Sequence, residues 1–424
     1  MSEVVEEDRE GSKQVHLGPK VLEIPETWDF RRLSDVTEIN PNYDRPDRET
    51  FDFVPMDAVD EEKRVIKYWT ERSAEDCTTT WFKNGDTIYA KITPCAENGK
   101  IAFVEGVETD VASGSTEFVV LSPADGVLDP KFTFYLANLP QFRSVTISLM
   151  EGSTARQRIP TNAFKAVRVP VPPLPEQRRI ADILSTVDEQ IQQKDEIIEK
   201  SEELKRGLMQ DIFNIDTVGE SSNPQFGISL KKVQEESLGD HVTVVSGVHV
   251  ESNKVSDDDT KTPYLTGPDD FDQFGFSVTK YTDDPPKFCE PGDTLVTVKG
   301  SGCGKTTFAN KRASISRQLK ALRASESLDE YYLYYWMETK QELLSILAQG
   351  TSIPGLSTSD LTTLRIPIPP IEKQTQIGDL LSNLDLKIQQ EERHKENLQE
   401  LKRGLMQDLL TGKVRVDDLD RPDE

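Results

Sequence analysis

The sequence contains few cysteines, few histidines and no long apolar run. Its four cysteines, Cys77, Cys95, Cys289 and Cys303, show no C-x-x-C spacing and have no neighbouring histidine pair, so neither a zinc site nor a disulfide framework is predicted. No stretch of about 18 apolar residues occurs, so no membrane span is expected. The acidic start of the chain lacks the basic and apolar regions of a signal peptide. These absences favour a cytoplasmic protein without a metal site of its own.

Positive charge is also scarce, because 50 Lys and Arg face 75 Asp and Glu and leave a net charge of −25. A nucleic-acid binder usually presents a basic surface to phosphates, so this balance argues against that class. The acidic residues are spread over both halves and both ends of the chain. Such a halophile-like distribution suits a salt-rich cytoplasm, where the Debye length falls to about 3 Å at about 1 M salt. This hypothesis predicts unfolding at low ionic strength, and full stability there would contradict it.

The most informative feature of the sequence is an internal repeat. The octapeptide LKRGLMQD occurs at 204–211 and again at 401–408, an offset of 197 residues. The same offset aligns Pro172-Pro173 with Pro369-Pro370, Gln177 with Gln374, and Asp188 with Asp385. Recurrence of this kind indicates two halves built on one plan, and a length of 424 residues is compatible with two or three domains.

The last part of each half is predicted to be a long helix. Each helix follows a proline-rich turn, VPVPPLPEQ or IPIPPIEKQ, and proline suits a helix entrance. Gly412 provides a C-terminal stop. Apolar residues then recur at heptad spacing, which is typical of coiled coils. We expect the two helices to pair antiparallel, with the domains at opposite ends; the alternative is that each helix packs only on its own domain. The residues expected to pair the helices are Ile180, Leu184, Val187, Ile191, Ile377, Leu381, Leu384 and Ile388.

The remainder of each half is predicted to be a strand-rich domain. Runs such as DTIYAKI and DTLVTVK combine β-branched and aromatic residues and are bounded by turn residues. The predicted fold class is α/β in the α+β sense: two strand-rich domains separated by two long antiparallel coiled-coil helices, an internal pseudo-repeat. The expected segments are a flexible acidic N-terminus over 1–19, domains over 20–174 and 215–370, helices over 175–214 and 371–412, and an acidic tail over 413–424.

Three motifs suggest enzyme activity but do not satisfy its requirements. VKGSGCGKTT at 298–307 resembles a phosphate-binding loop, yet it has one residue too few between its glycines to wrap a phosphate. A hairpin turn shared with KITPCAENGKIAF in the first half explains it better. Asp284-Pro285-Pro286 lacks the aromatic residue that would stack on a flipped base, and the acid-and-lysine spacing near Glu61 has no counterpart in the second half. No catalytic residue is assigned.

Two polar loops at matching positions are the candidate binding elements. They read GSTARQRIPTN at 152–162 and GTSIPGLSTSD at 350–360. Arg and Gln can contact base edges, and Ser and Thr reach phosphates; an ordinary solvated loop is the alternative for any single residue. The predicted DNA-contacting residues are Lys91, Asn98, Lys100, Ser153, Thr154, Arg156, Gln157, Arg158, Lys299, Ser301, Lys305, Thr351 and Ser352.

The plan of variable domain, Pro-Pro turn and long helix ending in Leu-Lys-Arg-Gly-Leu-Met-Gln-Asp, twice over, resembles the specificity subunit of type I restriction-modification systems. The resemblance covers nearly the whole chain and is specific in the helices. It implies that each domain reads one half of a bipartite site in double-stranded DNA. It also implies that the helices set the spacing and dock methyltransferase (M) subunits, and that a restriction/translocase (R) subunit joins for cleavage. S-adenosylmethionine, ATP and Mg would then bind those partners, and this chain would be non-catalytic.

Two departures and two alternatives accompany this interpretation. Lys373-Gln374 replaces the usual acid-Gln pair, and the acidity is greater than in a typical member of the family. The chain could instead be a two-domain coiled-coil adaptor with no role in DNA binding, or an enzyme that uses the loop around Lys305. Retardation of bipartite duplexes by the complex with a methyltransferase would distinguish the first alternative, and ATP hydrolysis by the isolated chain the second.

Overall fold

The computed structural model describes residues 11–18, 20–77, 80–153, 156–213, 233–272, 274–300, 302–349 and 355–416. The chain divides into two compact units. The first unit comprises residues 1–193 and 395–424, and the second comprises residues 194–394. Each unit therefore contains one strand-rich domain and a segment of each long helix.

The first half of the chain contains twelve strands, five α-helices and two short 3-10 helices among its described residues. The strands are β1 (Ser12–Leu17), β2 (Lys20–Pro25), β3 (Asp29–Arg32), β4 (Thr37–Ile39), β5 (Thr50–Val54), β6 (Thr70–Ser73), β7 (Trp81–Phe82), β8 (Thr87–Ala90), β9 (Ile101–Phe103), β10 (Ala112–Gly114), β11 (Phe118–Pro123) and β12 (Arg168–Val171). The helices are α1 (Cys95–Asn98), α2 (Pro130–Asn138), α3 (Pro140–Ser148), α4 (Thr161–Ala166) and the long α5 (Leu174–Phe213).

The second half follows a similar succession over its described part, with no helix between β19 and β20 to match α1 and with one additional strand, β15. Its strands are β13 (Glu235–Ser237), β14 (Val242–Ser246), β15 (Val255–Ser256), β16 (Thr262–Leu265), β17 (Tyr281–Thr282), β18 (Phe288–Cys289), β19 (Thr294–Thr297), β20 (Thr306–Phe308), β21 (Ala313–Ile315), β22 (Leu319–Ala324) and β23 (Arg365–Pro367). Its helices are α6 (Glu330–Glu338), α7 (Gln341–Gln349), α8 (Thr358–Thr362) and the long α9 (Ile371–Leu410).

The two domains share their sheet topology. One sheet runs β4-β11-β8-β9 in the first unit and β14-β22-β19-β20 in the second. A second sheet contains a parallel pair in each unit, β5 with β10 and β16 with β21. The central strands β8 and β19 are buried at every position, which explains why their sequences read as continuous β-branched and aromatic runs. The predicted fold class is confirmed, and the repeat extends to the order of the strands.

The N-terminal boundary differs from the expectation. Residues 12–17, which the sequence assigned to a flexible N-terminal segment, form β1 and pair antiparallel with β2. Val15 lies opposite Leu22 in this hairpin, and Leu17 and Ile24 enter the core of the first unit. Alternating apolar residues therefore order this part of the segment despite its acidic surroundings.

The long helices run antiparallel within each unit. In the first unit, Ile180 of α5 shares a core with Leu409 of α9, so the start of one helix lies beside the end of the other. In the second unit, Leu208 of α5 shares a core with Ile377 of α9. Both cores also contain domain residues such as Phe132 or Trp336. Packing of each helix on its own domain alone is therefore wrong, since each core combines both helices with a domain. None of the helices in the described ranges is long and apolar enough to cross a membrane.

The burial of the predicted pairing residues varies along the helices. Which of them contact one another stays a prediction. Ile180, Leu184, Val187, Ile377, Leu381 and Ile388 are buried, whereas Ile191 and Leu384 are half-buried.

A fully buried glutamine explains why the proline-rich turn is repeated. Gln177 donates from Nε2 to the carbonyls of Pro172 at 2.8 Å and Val127 at 3.0 Å, and its Oε1 accepts from the Asp129 N–H at 2.8 Å. Gln374 makes the corresponding three contacts with Pro369, Ser327 and Asp329 in the second unit. Each amide satisfies both of its donors and its acceptor inside the protein, and thereby ties the start of a long helix to the start of α2 or α6.

Candidate nucleic-acid interface

The loop that resembles a phosphate-binding motif belongs to a β-hairpin. Strand β19 pairs antiparallel with β20, and β8 pairs antiparallel with β9 at the corresponding place in the first unit. The prediction of a shared hairpin is confirmed. Gly304 has a φ of +92°, and a Cβ there would lie 2.7 Å from the backbone oxygen of Gln341. The glycine before Lys305 is therefore required by the close approach of α7.

In the first unit, the candidate loops lie beside a turn that the sequence analysis did not select. The Lys91 N–H donates to the Glu117 carbonyl at 2.9 Å, and the Lys91 carbonyl accepts from the Ile159 N–H at 2.8 Å. Glu117 belongs to the turn 115–117 between β10 and β11. The end of β8, this turn and the end of the loop 152–158 therefore form one continuous edge of the domain.

An ion pair occupies the centre of this edge. The Arg158 Nη2 lies 2.7 Å from Glu117 Oε1, and its Nε lies 3.0 Å from Oε2. The hydrogen bonds from Arg158 hold the pKa of the Glu117 carboxyl below its usual value. Both side chains reach solvent, with Arg158 45% and Glu117 24% exposed. The guanidinium predicted to contact DNA is therefore already engaged by a carboxylate.

The other candidates in the first unit divide into two groups. Lys100 is half-buried and donates to the Met56 carbonyl at 3.1 Å, while Asn98 donates to Glu61 at 3.0 Å. Gln157 is half-buried, and its main chain bonds to Thr93. Ser153 and Arg156 are exposed, and Arg156 has no ion-pair partner within the described part of the chain. Thr154 lies outside the described residues.

The second unit repeats this arrangement with different side chains. The Val298 N–H donates to the Gln318 carbonyl at 2.7 Å, and the Val298 carbonyl accepts from the Leu356 N–H at 2.8 Å. The turn 316–318 therefore occupies the position that the turn 115–117 has in the first unit. Lys299 follows Val298, whose main chain bonds to this turn, and Lys305 directly precedes β20; both lysines are exposed. Ser301, Thr351 and Ser352 lie outside the described residues.

Sequence reasoning missed Arg317 and Gln318 in this second turn. Arg317 and Gln318 are exposed and line an open groove together with His249, Ser252 and Lys280. Aligning ASGSTEF at 112–118 with ASISRQL at 313–319 would have identified the turn, but no shared identity marks the residues Arg317 and Gln318 themselves. Side-chain type at matched positions differs, as expected of surfaces that read different ligands.

Lys320 extends the positive charge of this edge. It is half-buried, and its Nζ donates to Ser246 Oγ at 2.7 Å and Thr358 Oγ1 at 2.9 Å. Burial and the neighbouring Lys299 lower the pKa of Lys320. Among the residues that the structure describes, no carboxylate forms an ion pair with either lysine. In a chain with a net charge of −25, this is a local cluster of uncompensated positive charge.

The cysteines are free, and burial raises the pKa of the Cys289 thiol to about 12. Over the described ranges, no group of three or more His, Cys, Asp or Glu side chains could hold a metal ion. The candidate site consists of polar and cationic turns, one set in each unit.

Comparison with known proteins agrees with the repeated architecture. A family model described as the type I restriction modification DNA specificity domain matches residues 25–203 and again 231–400. The chain is 25% identical over 422 residues to the type I restriction enzyme MjaX specificity subunit of Methanocaldococcus jannaschii, covering 96% of this chain and 97% of the relative.

Two solved structures share the fold. The S subunit of a type I restriction-modification system from M. genitalium has a TM-score of 0.64 at 18% identity, over 93% of this chain and 98% of that one. A structure describing complex assembly and conformational transition of the type I restriction-modification system has a TM-score of 0.54 at 23% identity, over 92% and 99%. The chain therefore belongs to the type I restriction-modification DNA specificity family and is a sequence-recognition subunit of such a system.

Proposed function

We propose that each domain contacts one half of a bipartite double-stranded DNA site through its turn and loops. The domains would extend over 20–174 and 215–370, with the helices setting the spacing between half-sites. The observation that carries the proposal is the matched edge: Lys91, turn 115–117 and loop 152–158 in one unit, and Val298, turn 316–318 and Gly355 in the other. The chain would act in the cytoplasm without catalysing the reaction itself. S-adenosylmethionine, ATP and Mg would bind the M and R subunits.

The side chains at the two edges suit direct readout of bases. Arg is the usual partner of the guanine O6 and N7, Gln of adenine, and Glu accepts from the cytosine amino group. The first edge offers a Glu117–Arg158 pair and the second offers Arg317 and Gln318, so the half-sites should differ in sequence. Lys299 and Lys320 would neutralise phosphates, which would compensate locally for the acidic surface.

The experiment that tests DNA contact compares Arg158→Ala with Glu117→Gln in the complex with its methyltransferase. Loss of Arg158 should weaken binding of the cognate duplex by about 1–3 kcal/mol. Loss of the Glu117 charge should not weaken it, since it frees the arginine and removes a like charge from the phosphates. Binding is measured by fluorescence anisotropy over a range of salt concentrations.

Glu290→Gln is the control, because it removes the ion-pair partner of Arg312, an arginine that is 59% exposed. Arg312 precedes β21, whereas the turn 316–318 follows that strand. This variant should leave affinity unchanged. Wild-type affinity in the Arg158 variant would contradict contact at this edge. If Glu117→Gln instead weakens binding and alters the base preference, the carboxylate itself reads a base.

We also propose that the repeated octapeptide forms the docking surface for methyltransferase subunits. Gly207 in α5 and Gly404 in α9 are exposed within helices. Apart from the neighbouring residues and the nearby backbone of the same helix, no heavy atom of the described residues lies within 4 Å of a Cβ built on either glycine. Glycine in such a position costs about 1 kcal/mol relative to alanine. Beside them, Leu204 is 46% and Leu401 51% exposed. Contacts inside the chain do not explain this repeated exposed surface, whereas close approach of a partner subunit would.

The double variant Gly207→Leu/Gly404→Leu separates docking from folding. Leucine has the higher helix propensity, so the melting temperature should be unchanged or raised. Co-purification with the methyltransferase subunit should be lost, because the new side chains occupy the space that the partner needs. Gln190→Leu, at an exposed position of α5 outside the octapeptide, should retain the partner. Wild-type co-purification by the double variant would contradict this docking surface.

A further inference from the structure

A buried group of three residues joins the domain of the second unit to both long helices. Tyr335 of α6 donates from its hydroxyl to Asp385 of α9 at 2.6 Å. Lys205 of α5 lies 2.9 Å from the other oxygen of the same carboxylate, and its Nζ is 5.2 Å from the centre of the Tyr335 ring. The side chains of Lys205 and Asp385 are only 12% and 8% exposed. Each of the three elements contributes one member of the group.

The first unit contains the same group with the roles of the helices exchanged. Tyr135 of α2 donates to Asp188 of α5 at 2.8 Å, and Lys402 of α9 lies 2.5 Å from that carboxylate. Lys402 also lies over the Tyr135 ring at 5.8 Å. Asp188 and Asp385 are 197 residues apart in the sequence, as are Lys205 and Lys402. We name these groups the Tyr–Asp–Lys triads.

Stability alone is a weak reason for such a group. The free-energy cost of removing two charges from water is about as large as the free energy gained from their attraction. A protein in which well-packed apolar residues replace the pair is therefore often as stable. The attested advantage of buried polar residues in helix pairs is the choice of one register among several. The apolar positions of α5 and α9 recur at heptad spacing, and apolar side chains of similar size discriminate poorly against a slip along such a stripe.

We propose that the two Tyr–Asp–Lys triads are positioning residues that fix the register of the helix pair and the seating of each domain on it. They thereby restrict the spacer length that the chain accepts between its two half-sites. The proposal rests on the proposed function of the helices in setting that spacing. A one-turn slip would separate Lys205 from Asp385 by about 5.4 Å more, leaving two largely buried charges unpaired. It would likewise separate Lys402 from Asp188, whose side chains are 20% and 34% exposed.

The test uses the complex of the full chain with its methyltransferase and a panel of duplexes that differ only in spacer length. The half-sites are those that methylation by the wild-type complex defines. The double variant Asp188→Leu/Lys402→Met removes the first triad while keeping its bulk. It should melt near the wild-type temperature. Its rate of methylation on duplexes whose spacer is one or two base pairs too long or too short, relative to its rate on the cognate spacer, should rise by roughly 10-fold, the effect of a modest loss of positional preference. The half-site bases should not change.

Two further variants keep the proposal falsifiable. Tyr135→Phe removes only the hydroxyl that bonds the domain to Asp188. It should also raise the relative rate of methylation on spacers of the wrong length, but by a smaller factor. The control Lys200→Met removes an exposed i,i+4 ion pair with Glu196 within α5. A slip between the helices leaves such a pair intact, so this variant should keep wild-type spacer choice. Unchanged spacer selectivity in the folded triad variants would overturn the proposal. A wild-type complex that methylates DNA regardless of sequence would overturn the proposed function instead.

Discussion

At the scale of single residues, the sequence repeat identified positions whose roles differ in kind. Gln177 and Gln374 proved to be buried structural amides, while Asp188 and Asp385 join helices to domains. Lys100 is among the predicted DNA contacts, yet it donates to a backbone carbonyl. Residue type and spacing predict which positions matter, but the direction in which a side chain points depends on tertiary packing that one sequence does not encode locally.

Glu338 gives a prediction about pH at this scale. Burial raises the pKa of its carboxyl, and Lys205 at 3.3 Å lowers it by less. A raised folded-state pKa stabilises the protonated form, so the stability that Glu338 contributes is full below its usual pKa and is lost as pH rises through the folded value. Glu338→Gln should therefore gain stability relative to wild type as pH rises from about 5 to about 8.

Thermal unfolding of both proteins across this pH range measures the difference. Lys205 keeps Asp385 as its partner in the variant, so the triad is retained. Glu196→Gln, at an exposed helix position, serves as the control and should show little pH dependence. A stability difference that is independent of pH, or that favours wild type at high pH, would contradict the claim that burial of the ionised Glu338 carboxylate destabilises the fold.

At the scale of elements, helices were predictable and strand order was not. Heptad spacing and proline-rich entrances indicated α5 and α9 because a helix is a local structure whose period is visible in the sequence. The parallel pairs β5 with β10 and β16 with β21 join strands about 50 to 60 residues apart. No local pattern specifies such a pairing, so the edge on which the turns 115–117 and 316–318 lie could not be predicted.

The helices give a prediction at the same scale. Inserting one heptad after Glu196 in α5 and another after Arg393 in α9 keeps the apolar stripe continuous and lengthens both helices by about 10 Å. If the helices set the spacing, the accepted spacer should grow by about 3 base pairs at 3.4 Å each, with both half-sites unchanged. Methylation mapping of the variant complex provides the measurement.

Insertion into α5 alone is the control, because it disrupts the pairing of the helices and should abolish methylation or assembly. An accepted spacer that stays at its wild-type length in the doubly extended protein would contradict the spacing role. Altered half-sites would show that the insertion acts on the domains instead.

At the scale of the whole molecule, a strongly acidic chain carries its cations where DNA recognition would need them. The net charge of −25 opposes binding to phosphates at long range, yet Lys299, Arg317 and Lys320 form a local cluster without a carboxylate partner among the described residues. Composition therefore gave a misleading indication of function, whereas the internal repeat gave the correct family. The repeat would explain how one chain can read two different half-sites, because its two units share a fold but differ at the turns.

The central claim is that this chain selects the DNA sequence, with one domain responsible for each half-site. Base-resolution mapping of methylation in cells that express the chain with its methyltransferase tests it most directly, when repeated with Arg317→Ala. The account predicts one bipartite motif with a fixed spacer, of which the variant relaxes one half and leaves the other intact. Methylation that does not depend on this chain, or equal changes in both halves, would contradict it.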